Sequence, residues 1–223
     1  MYPELVLNNE PKSVISETIR TLRTNLQFAS VDKKIRTILI TSSVPSEGKS
    51  FIASNLAVAF AQTGSRVLLV DCDIRKGRQH YIFGKHNQKG LSNLLLENIS
   101  DCYKNYIQET EIKNLSVMFR GITPPNPSEL LGSSKNKELI NILKNEYDIV
   151  VFDSAPMSGG LTDSLIMGTL VDGVVIVSAY KQTPVSLLND TKKSLENVNA
   201  NILGVVLNKA ETKAKKYYGY YYW

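Results

Sequence analysis

Short runs of β-branched and aliphatic residues alternate along the chain with segments of helical periodicity. About seven runs qualify as strands or strand fragments; the clearest cover residues 37–41, 66–70, 148–152, 173–177 and 202–207, and a weaker one covers residues 115–119. Their nearly continuous apolar character is typical of strands buried on both faces. Helical patterns cover residues 50–62, 137–145 and 185–197. The alternation predicts an α/β fold, in which a mostly parallel central β-sheet is flanked by helices on both faces.

A further amphipathic helix is expected before the first strand. Its apolar face, at spacings of four, three and four residues, consists of Ile15, Ile19, Leu22 and Leu26. Glu17, Arg20 and Arg23 lie off that face. Taken alone, Glu17 and Arg20 are either a surface pair worth a few tenths of a kcal/mol or part of a contact with another molecule.

The size and composition of the chain set limits on what it is. At 223 residues it fits one α/β domain with a substantial core. The net charge of +5 is spread along the sequence, so we expect no nucleic-acid partner. Cys72 and Cys102 show no metal-ligand spacing, which suits a reducing compartment. No signal region and no run of eighteen apolar residues is present, so we expect a cytoplasmic protein that meets a membrane through a partner.

A phosphate-binding loop follows the first predicted strand and leads directly into a helix. The usual pattern begins with glycine, and Ser43 stands in that place. Backbone N–H groups of such a loop converge on phosphate oxygens, while Lys49 reaches the β- and γ-phosphates and Ser50 binds Mg²⁺. The sequence therefore predicts an ATP site whose nucleotide-binding residues include Ser43, Pro45, Ser46, Glu47, Gly48, Lys49, Ser50 and Phe51.

Acidic residues follow two other strands. Asp71 and Asp73 come after residues 66–70, and Asp153 comes after residues 148–152. The carboxyl ends of parallel strands meet at one edge of a sheet, so these carboxylates are expected to face the nucleotide and its Mg²⁺. Asp71 or Asp153 alone would also be explained as a helix N-cap.

The chain ends in an aromatic cluster after a lysine-rich segment. The cluster consists of Tyr217, Tyr218, Tyr220, Tyr221 and Tyr222, followed by Trp223. Nearly contiguous tyrosines leave most of their hydroxyls facing water, so the segment is either a sticky surface patch or a set of phosphate acceptors. About nine residues separate the last strand from Tyr217, and they span at most about 30 Å.

These motifs, in this order, resemble the bacterial tyrosine kinases of capsule and exopolysaccharide synthesis, the CpsD/CapB type or BY-kinases. The resemblance covers nearly the whole chain. It rests on the P-loop at residues 43–50, the acidic motif at residues 67–75, the Walker B strand before Asp153, the stretch at residues 125–131, the Glu17-x-x-Arg20-x-x-Arg23 helix and the tyrosine tail.

The resemblance implies autophosphorylation of the tail from ATP and Mg²⁺. It gives Asp71 the role of the base that takes the tyrosine proton, with Asp73 supporting it and the metal; a free tyrosine, with a pKa of about 10, is a poor nucleophile at neutral pH. It makes Glu17, Arg20 and Arg23 an oligomerisation motif of ring assemblies such as octamers. It also implies a membrane-spanning adaptor that activates the enzyme at the inner face of the membrane, and a cognate tyrosine phosphatase.

The chain divides by this interpretation into an N-terminal helix with the oligomerisation motif at residues 1–35, a kinase domain at residues 36–209 and a flexible tail at residues 210–223. The sequence also resembles the wider MinD/ParA group of P-loop ATPases, where Asn208 would match a residue near the adenine. Two alternatives follow: a MinD/ParA-type ATPase, whose signature lysine is replaced here by Val44, and a scaffold that ATP merely orders.

Overall fold

One seven-stranded sheet organises the part of the chain that the computed structural model describes, residues 4–29, 34–97 and 102–210. In chain order the strands are β1 (Thr37–Ser42), β2 (Val67–Asp71), β3 (Gln108–Glu109), β4 (Leu115–Met118), β5 (Ile149–Asp153), β6 (Gly173–Ala179) and β7 (Ile202–Asn208). Their spatial order is β3-β4-β2-β5-β1-β6-β7, and all neighbours are parallel except β3 and β4. The predicted fold class is confirmed, and the six predicted strands lie within two residues of those observed.

Helices cover both faces of this sheet. They are α1 (Val6–Asn9), α2 (Val14–Phe28), α3 (Lys49–Ala61), α4 (Gln79–Ile82), α5 (Leu91–Leu94), α6 (Pro127–Leu131), α7 (Ser134–Glu146), α8 (Asp163–Gly168) and α9 (Val185–Asn197). Alternate strand residues point to opposite faces: Ile38 and Ile40 pack towards α2 and α3, whereas Leu39 packs towards α7, α8 and α9. The two cores together hold the sheet between helical layers.

The N-terminal helix is largely as predicted, with one correction. Ile19 and Leu26 are buried in the same core as α3, and Leu22 is partly buried against it. Ile15, however, is 47% exposed and does not belong to the apolar face. The first turn of α2 instead turns Ser16 inward, where its hydroxyl donates to the Glu10 carbonyl at 2.7 Å.

Two short elements escaped prediction. None of the helical patterns in the sequence covers residues 121–134, but α6 lies inside this stretch. Pro127 occupies its first position, where a missing N–H costs nothing and the fixed φ suits a helix. The two-residue edge strand β3 was missed because two residues carry no periodicity.

Asp172 holds the opposite, amino-terminal edge of the sheet together. Its Oδ2 accepts backbone N–H bonds from Arg36 at 2.9 Å and Thr37 at 3.0 Å, and its Oδ1 pairs with Lys144. Burial raises the pKa of a carboxyl, but these donors outweigh it and lower the pKa of Asp172. This cluster is remote from the carboxyl ends of the strands.

Candidate active site

The P-loop connects β1 to α3 and takes its shape from two left-handed residues. Ser46 has φ 66° and Gly48 has φ 96°. Ser43, in the place of the usual first glycine, lies outside the left-handed region, and its buried hydroxyl bonds to that of Thr191 at 2.9 Å. A serine is therefore accommodated there without backbone strain.

Glu47 fixes this loop to the neighbouring strands. Its Oε2 accepts the Val44 N–H at 2.8 Å, and its Oε1 accepts the Ala179 N–H at 3.0 Å and the Thr183 hydroxyl. Its carbonyl accepts a bond from the Asn208 side chain at 2.9 Å. The Glu47 carboxylate thus accepts hydrogen bonds from the protein itself. Its contribution to nucleotide binding is to fix the conformation of the P-loop.

Lys49 lies between two of the predicted carboxylates. Its Nζ is 3.1 Å from Asp73 Oδ2 and 3.7 Å from Asp153 Oδ1. Burial alone would lower the pKa of Lys49, but the charges of Asp153, Asp73 and Asp71 outweigh it and raise the pKa. Lys49 is therefore a fixed cation at the base of the loop.

Asp71 and Asp153 are adjacent residues on paired strands and are fully buried. Asp71 Oδ2 accepts the Gln79 backbone N–H at 3.0 Å, and Asp153 Oδ2 accepts the Gln79 side-chain amide at 2.8 Å. Burial raises the pKa of both carboxyls, and for Asp71 the charge of Asp153 adds to it. The role of Gln79 was not predicted from the sequence, because no spacing rule indicates that α4 lies over the ends of two strands.

The buried oxygens suit the hard cation that accompanies ATP. Asp71 Oδ1, Asp153 Oδ1 and Gln79 Oε1 have no hydrogen-bond partner within the described part of the chain. Over the same residues, no three His, Cys, Asp or Glu side chains form a ready-made metal cluster. Mg²⁺ commonly takes only one or two carboxylates and completes its shell with phosphates and water, so Asp153 and the Ser50 hydroxyl fit it.

A cavity of about 400 Å³ opens in front of these groups. Its wall includes Asp73 and six residues of the P-loop and α3 that the sequence had proposed for the nucleotide: Pro45, Ser46, Gly48, Lys49, Ser50 and Phe51. The other lining residues are Glu4, Lys76, Arg78, Ile82 and Pro156. Asp71 is absent from this wall because Gly77 covers it: a Cβ on Gly77 would lie 2.1 Å from Asp71 Oδ1.

The remaining predicted residues lie elsewhere. Asn208 ends β7 beside Gly48. On α2, Arg20 bonds to Glu17 and to the Pro11 carbonyl, and Arg23 donates to the Ala59 carbonyl of α3 at 3.2 Å. The five tail tyrosines lie outside the described residues. Arg75, of the acidic motif, does not line the cavity and pairs with Asp163, a residue without any sequence signal of its own.

Comparisons with known proteins agree with this geometry. The AAA domain family model matches residues 35–205. The putative tyrosine-protein kinase CapB of Staphylococcus aureus is 39% identical over 218 residues, which cover 98% of this chain and 94% of that protein. The tyrosine-protein kinase YwqD of Bacillus subtilis (strain 168) is 40% identical over 221 residues, covering 99% of this chain and 92% of that protein.

Solved structures give the same result. The chimerical protein CapA2B2 superposes with a TM-score of 0.88 at 39% identity, covering 95% of this chain and 92% of that one. The cell division ATPase MinD of Pyrococcus furiosus has a TM-score of 0.65 at 23% identity, which shows a shared fold alone. With a family model over most of its length and two kinases at about two-fifths identity, the chain belongs to the bacterial tyrosine-protein kinases.

Proposed function

We propose that this kinase phosphorylates the tyrosines of its own C-terminal segment with ATP. The observation that carries the proposal is the placement of Lys49 within 3.1 Å of Asp73 at a P-loop cavity, beside an Asp153 oxygen without a hydrogen-bond partner. The acceptors are Tyr217, Tyr218, Tyr220, Tyr221 and Tyr222. They follow β7, which ends at the same edge of the sheet as the cavity.

The chemistry assigned to the residues is simple. A tyrosine oxygen forms a bond to the γ-phosphorus, the bond to the β–γ bridging oxygen breaks, ADP leaves, and the hydroxyl proton passes to a carboxylate. Lys49 and the P-loop N–H groups bind the phosphates and stabilise charge on the transferring group. Asp153 and Ser50 would hold Mg²⁺, which supplies neutralisation of phosphate charge when bound with ATP.

Two carboxylates compete for the proton. Asp71 is implied by the family resemblance, and its raised pKa suits a base that works near neutral pH. It lies beneath Gly77, however, whereas Asp73 lines the cavity and pairs with Lys49. We assign the proton to Asp71 only if the loop at residues 75–79 moves when tyrosine binds, and to Asp73 otherwise. Parental activity of Asp71→Asn with loss in Asp73→Asn would decide for Asp73.

The kinase proposal is tested with purified protein, ATP and Mg²⁺, probed for phosphotyrosine. Lys49→Met is expected to lose labelling, because methionine has no positive charge to stabilise the transferring phosphoryl group. Lys192→Met, on the exposed face of α9, is the matched control and should label like the parent. Equal labelling of Lys49→Met and the parent would refute the proposal.

Transfer between subunits is the second part of the proposal. A tail that enters its own site needs a tight reversal within about nine residues, whereas a neighbour's site needs none. Mixing Lys49→Met protein with protein lacking residues 213–223 should label the intact tail, although neither form does so alone. Failure of this mixture, with an active tail-deleted enzyme, would restrict transfer to within one chain.

The family resemblance supports a proposal for the cellular role. We propose that the enzyme forms a ring through Glu17, Arg20 and Arg23, is activated at the inner face of the membrane by a membrane-spanning adaptor, and is reset by a tyrosine phosphatase. The output proposed is control of capsular or extracellular polysaccharide synthesis and export. Within the described residues no helix is long and apolar enough to cross a bilayer. Each tail phosphate adds about −1.5 to −2 charges, which would repel the tail from an acidic site and loosen a ring.

A further inference from the structure

Three side chains form a closed hydrogen-bonded cluster behind the acidic loop that follows β2. Arg75 donates from Nε to Asp163 Oδ2 at 2.6 Å and from Nη2 to Asp163 Oδ1 at 3.1 Å. Arg75 Nη2 also donates to Ser128 Oγ at 3.0 Å, and the Ser128 hydroxyl donates to Asp163 Oδ1 at 2.6 Å. We call Arg75, Ser128 and Asp163 the Arg75 cluster. Both carboxylate oxygens of Asp163 are satisfied in it, although the residue is only 1% exposed.

The cluster joins three separate segments at the edge of the sheet where the carboxyl ends of the parallel strands lie. Arg75 belongs to the loop between β2 and α4, Ser128 lies in the first turn of α6, and Asp163 is the first residue of α8. The sheet fixes the strand ends but not the loops beyond them, so side chains must fix how these segments lie. A two-pronged bond between a guanidinium and a buried carboxylate is suited to this, because it sets orientation as well as distance.

Arg75 is only two residues from Asp73, in a tight turn. The Gly77 N–H donates to the Asp73 carbonyl at 2.7 Å, and the Lys76 N–H donates to Asp73 Oδ1 at 2.9 Å. The other oxygen of Asp73 faces Lys49. A shift of Arg75 therefore moves the turn that carries the carboxylate in the cavity.

We propose that Asp163 and Ser128 are positioning residues for phosphoryl transfer, which act through Arg75 to hold the Asp73 carboxylate against Lys49. The proposal rests on the role given to Asp73 above. Among the described residues, the side-chain hydrogen bonds of the Arg75 cluster stay within the cluster and reach no residue that lines the cavity. We therefore expect the cluster to act on the geometry of transfer and not on phosphate binding by the P-loop.

The test is steady-state transfer to tyrosine at varied ATP, using full-length protein. Ser128→Ala, Asp163→Asn and Arg75→Lys are expected to lower kcat by about tenfold to a hundredfold, as loss of supporting contacts and misplacement of a reacting group do. KM for ATP should stay within about threefold of the parent, because the P-loop is untouched. Ser128→Thr keeps the hydroxyl and should restore kcat to within about twofold of the parent.

A control separates positioning from general loss of stability. Lys144→Gln breaks the Lys144–Asp172 pair at the opposite edge of the sheet. It should lower Tm while leaving kcat per folded molecule unchanged. The Arg75 cluster variants should lower kcat by far more than any fall in folded fraction explains.

The outcomes distinguish the two proposals. If Asp73→Asn transfers phosphate at the parental rate, the role of Asp73 fails. If Asp73→Asn is inactive while Ser128→Ala and Arg75→Lys keep the parental kcat, the positioning role alone is overturned. Equal kcat for Ser128→Ala and Ser128→Thr, both below the parent, would also overturn it, since the hydroxyl would then do nothing.

Discussion

The side chain of Asn208 lies directly against Gly48. It donates to the neighbouring Glu47 carbonyl at 2.9 Å, and a Cβ on Gly48 would stand 2.0 Å from its nitrogen. The P-loop and the last strand, β7, are therefore in contact through the Asn208 amide. At position 48, only glycine leaves room for this amide.

Gly48→Ala is expected to reduce ATP affinity by about tenfold or more. The added Cβ would clash with the Asn208 amide, and alanine is strained at the left-handed φ of Gly48. Gly64→Ala is the matched control: Gly64 has a similar φ of 91°, but no atom of the residues that the structure describes lies within 4 Å of its Cβ position. It should cost about 1 kcal/mol of stability and leave ATP affinity unchanged. Binding titrations and thermal unfolding measure both.

The clash itself is testable with a second substitution. Asn208→Ala removes the obstructing amide, so Gly48→Ala with Asn208→Ala should be less destabilised than the sum of the two single variants. Additive losses would mean that the left-handed backbone alone explains the sensitivity of Gly48.

Asp71→Asn is expected to stabilise the protein near pH 7.5. Burial and the charge of Asp153 raise the pKa of Asp71 above its usual 3.8, so the folded state binds the extra proton and stability falls as pH rises through the raised pKa. Removing the charge should add about 1–3 kcal/mol at neutral pH, with a gain of roughly 2–4 °C in Tm per kcal/mol. The gain should vanish near pH 4.

Asp172→Asn should show the opposite sign. The pKa of Asp172 is lowered, so its stabilisation is present above the unfolded pKa of 3.8 and is lost as pH falls. Its Tm should lie below the parent at about pH 7.5, and the gap should narrow in acid. Parallel pH profiles for Asp71→Asn and Asp172→Asn would contradict both assignments.

Glu47 is predicted to matter through shape. Glu47→Ala leaves the Val44 and Ala179 N–H groups and the Thr183 hydroxyl without an acceptor, at about 1–3 kcal/mol for each group that stays buried. Thr183→Val removes only one of these bonds. We expect Tm and ATP affinity to fall in the order parent, Thr183→Val, Glu47→Ala; a Glu47→Ala protein with parental ATP affinity would refute the link.

The charged residues of α2 should separate into two classes. Arg23 donates to the Ala59 carbonyl of α3, so Arg23→Ala is expected to lower Tm by a few degrees. Glu17 is largely exposed, and Arg20 is its only ion-pair partner among the described residues, so Glu17→Ala should leave Tm unchanged. If the ring proposal is correct, Glu17→Ala still reduces the oligomer mass in light scattering; an unchanged mass would leave Glu17 a surface residue.

Much of the site was predictable because strand ends are predictable. Buried apolar runs located β1, β2 and β5, and parallel strands necessarily bring Lys49, Asp71, Asp73 and Asp153 to one edge. The P-loop pattern also predicted that a helix follows the loop directly, and α3 begins at Lys49.

The residues that escaped prediction all depend on where loops cross. Gln79 reaches Asp153, and Asp163 reaches Arg75, over separations of 74 and 88 residues. No periodicity or spacing encodes such meetings. The exposure of Ile15 has the same origin, since the segment before α2, not the helix pattern, decides which residues its first turn buries.

The contact between Asn208 and the P-loop has a thermodynamic consequence for the tail. The segment that carries the proposed acceptor tyrosines begins in the sequence just beyond Asn208, whose side chain donates to the phosphate-binding loop. By linkage, capture of that segment by another molecule, if it strains Asn208, changes ATP affinity by some factor, and ATP binding changes the strength of capture by the same factor. Capture of the tail and binding of ATP would then be thermodynamically coupled through the contact between Asn208 and the P-loop.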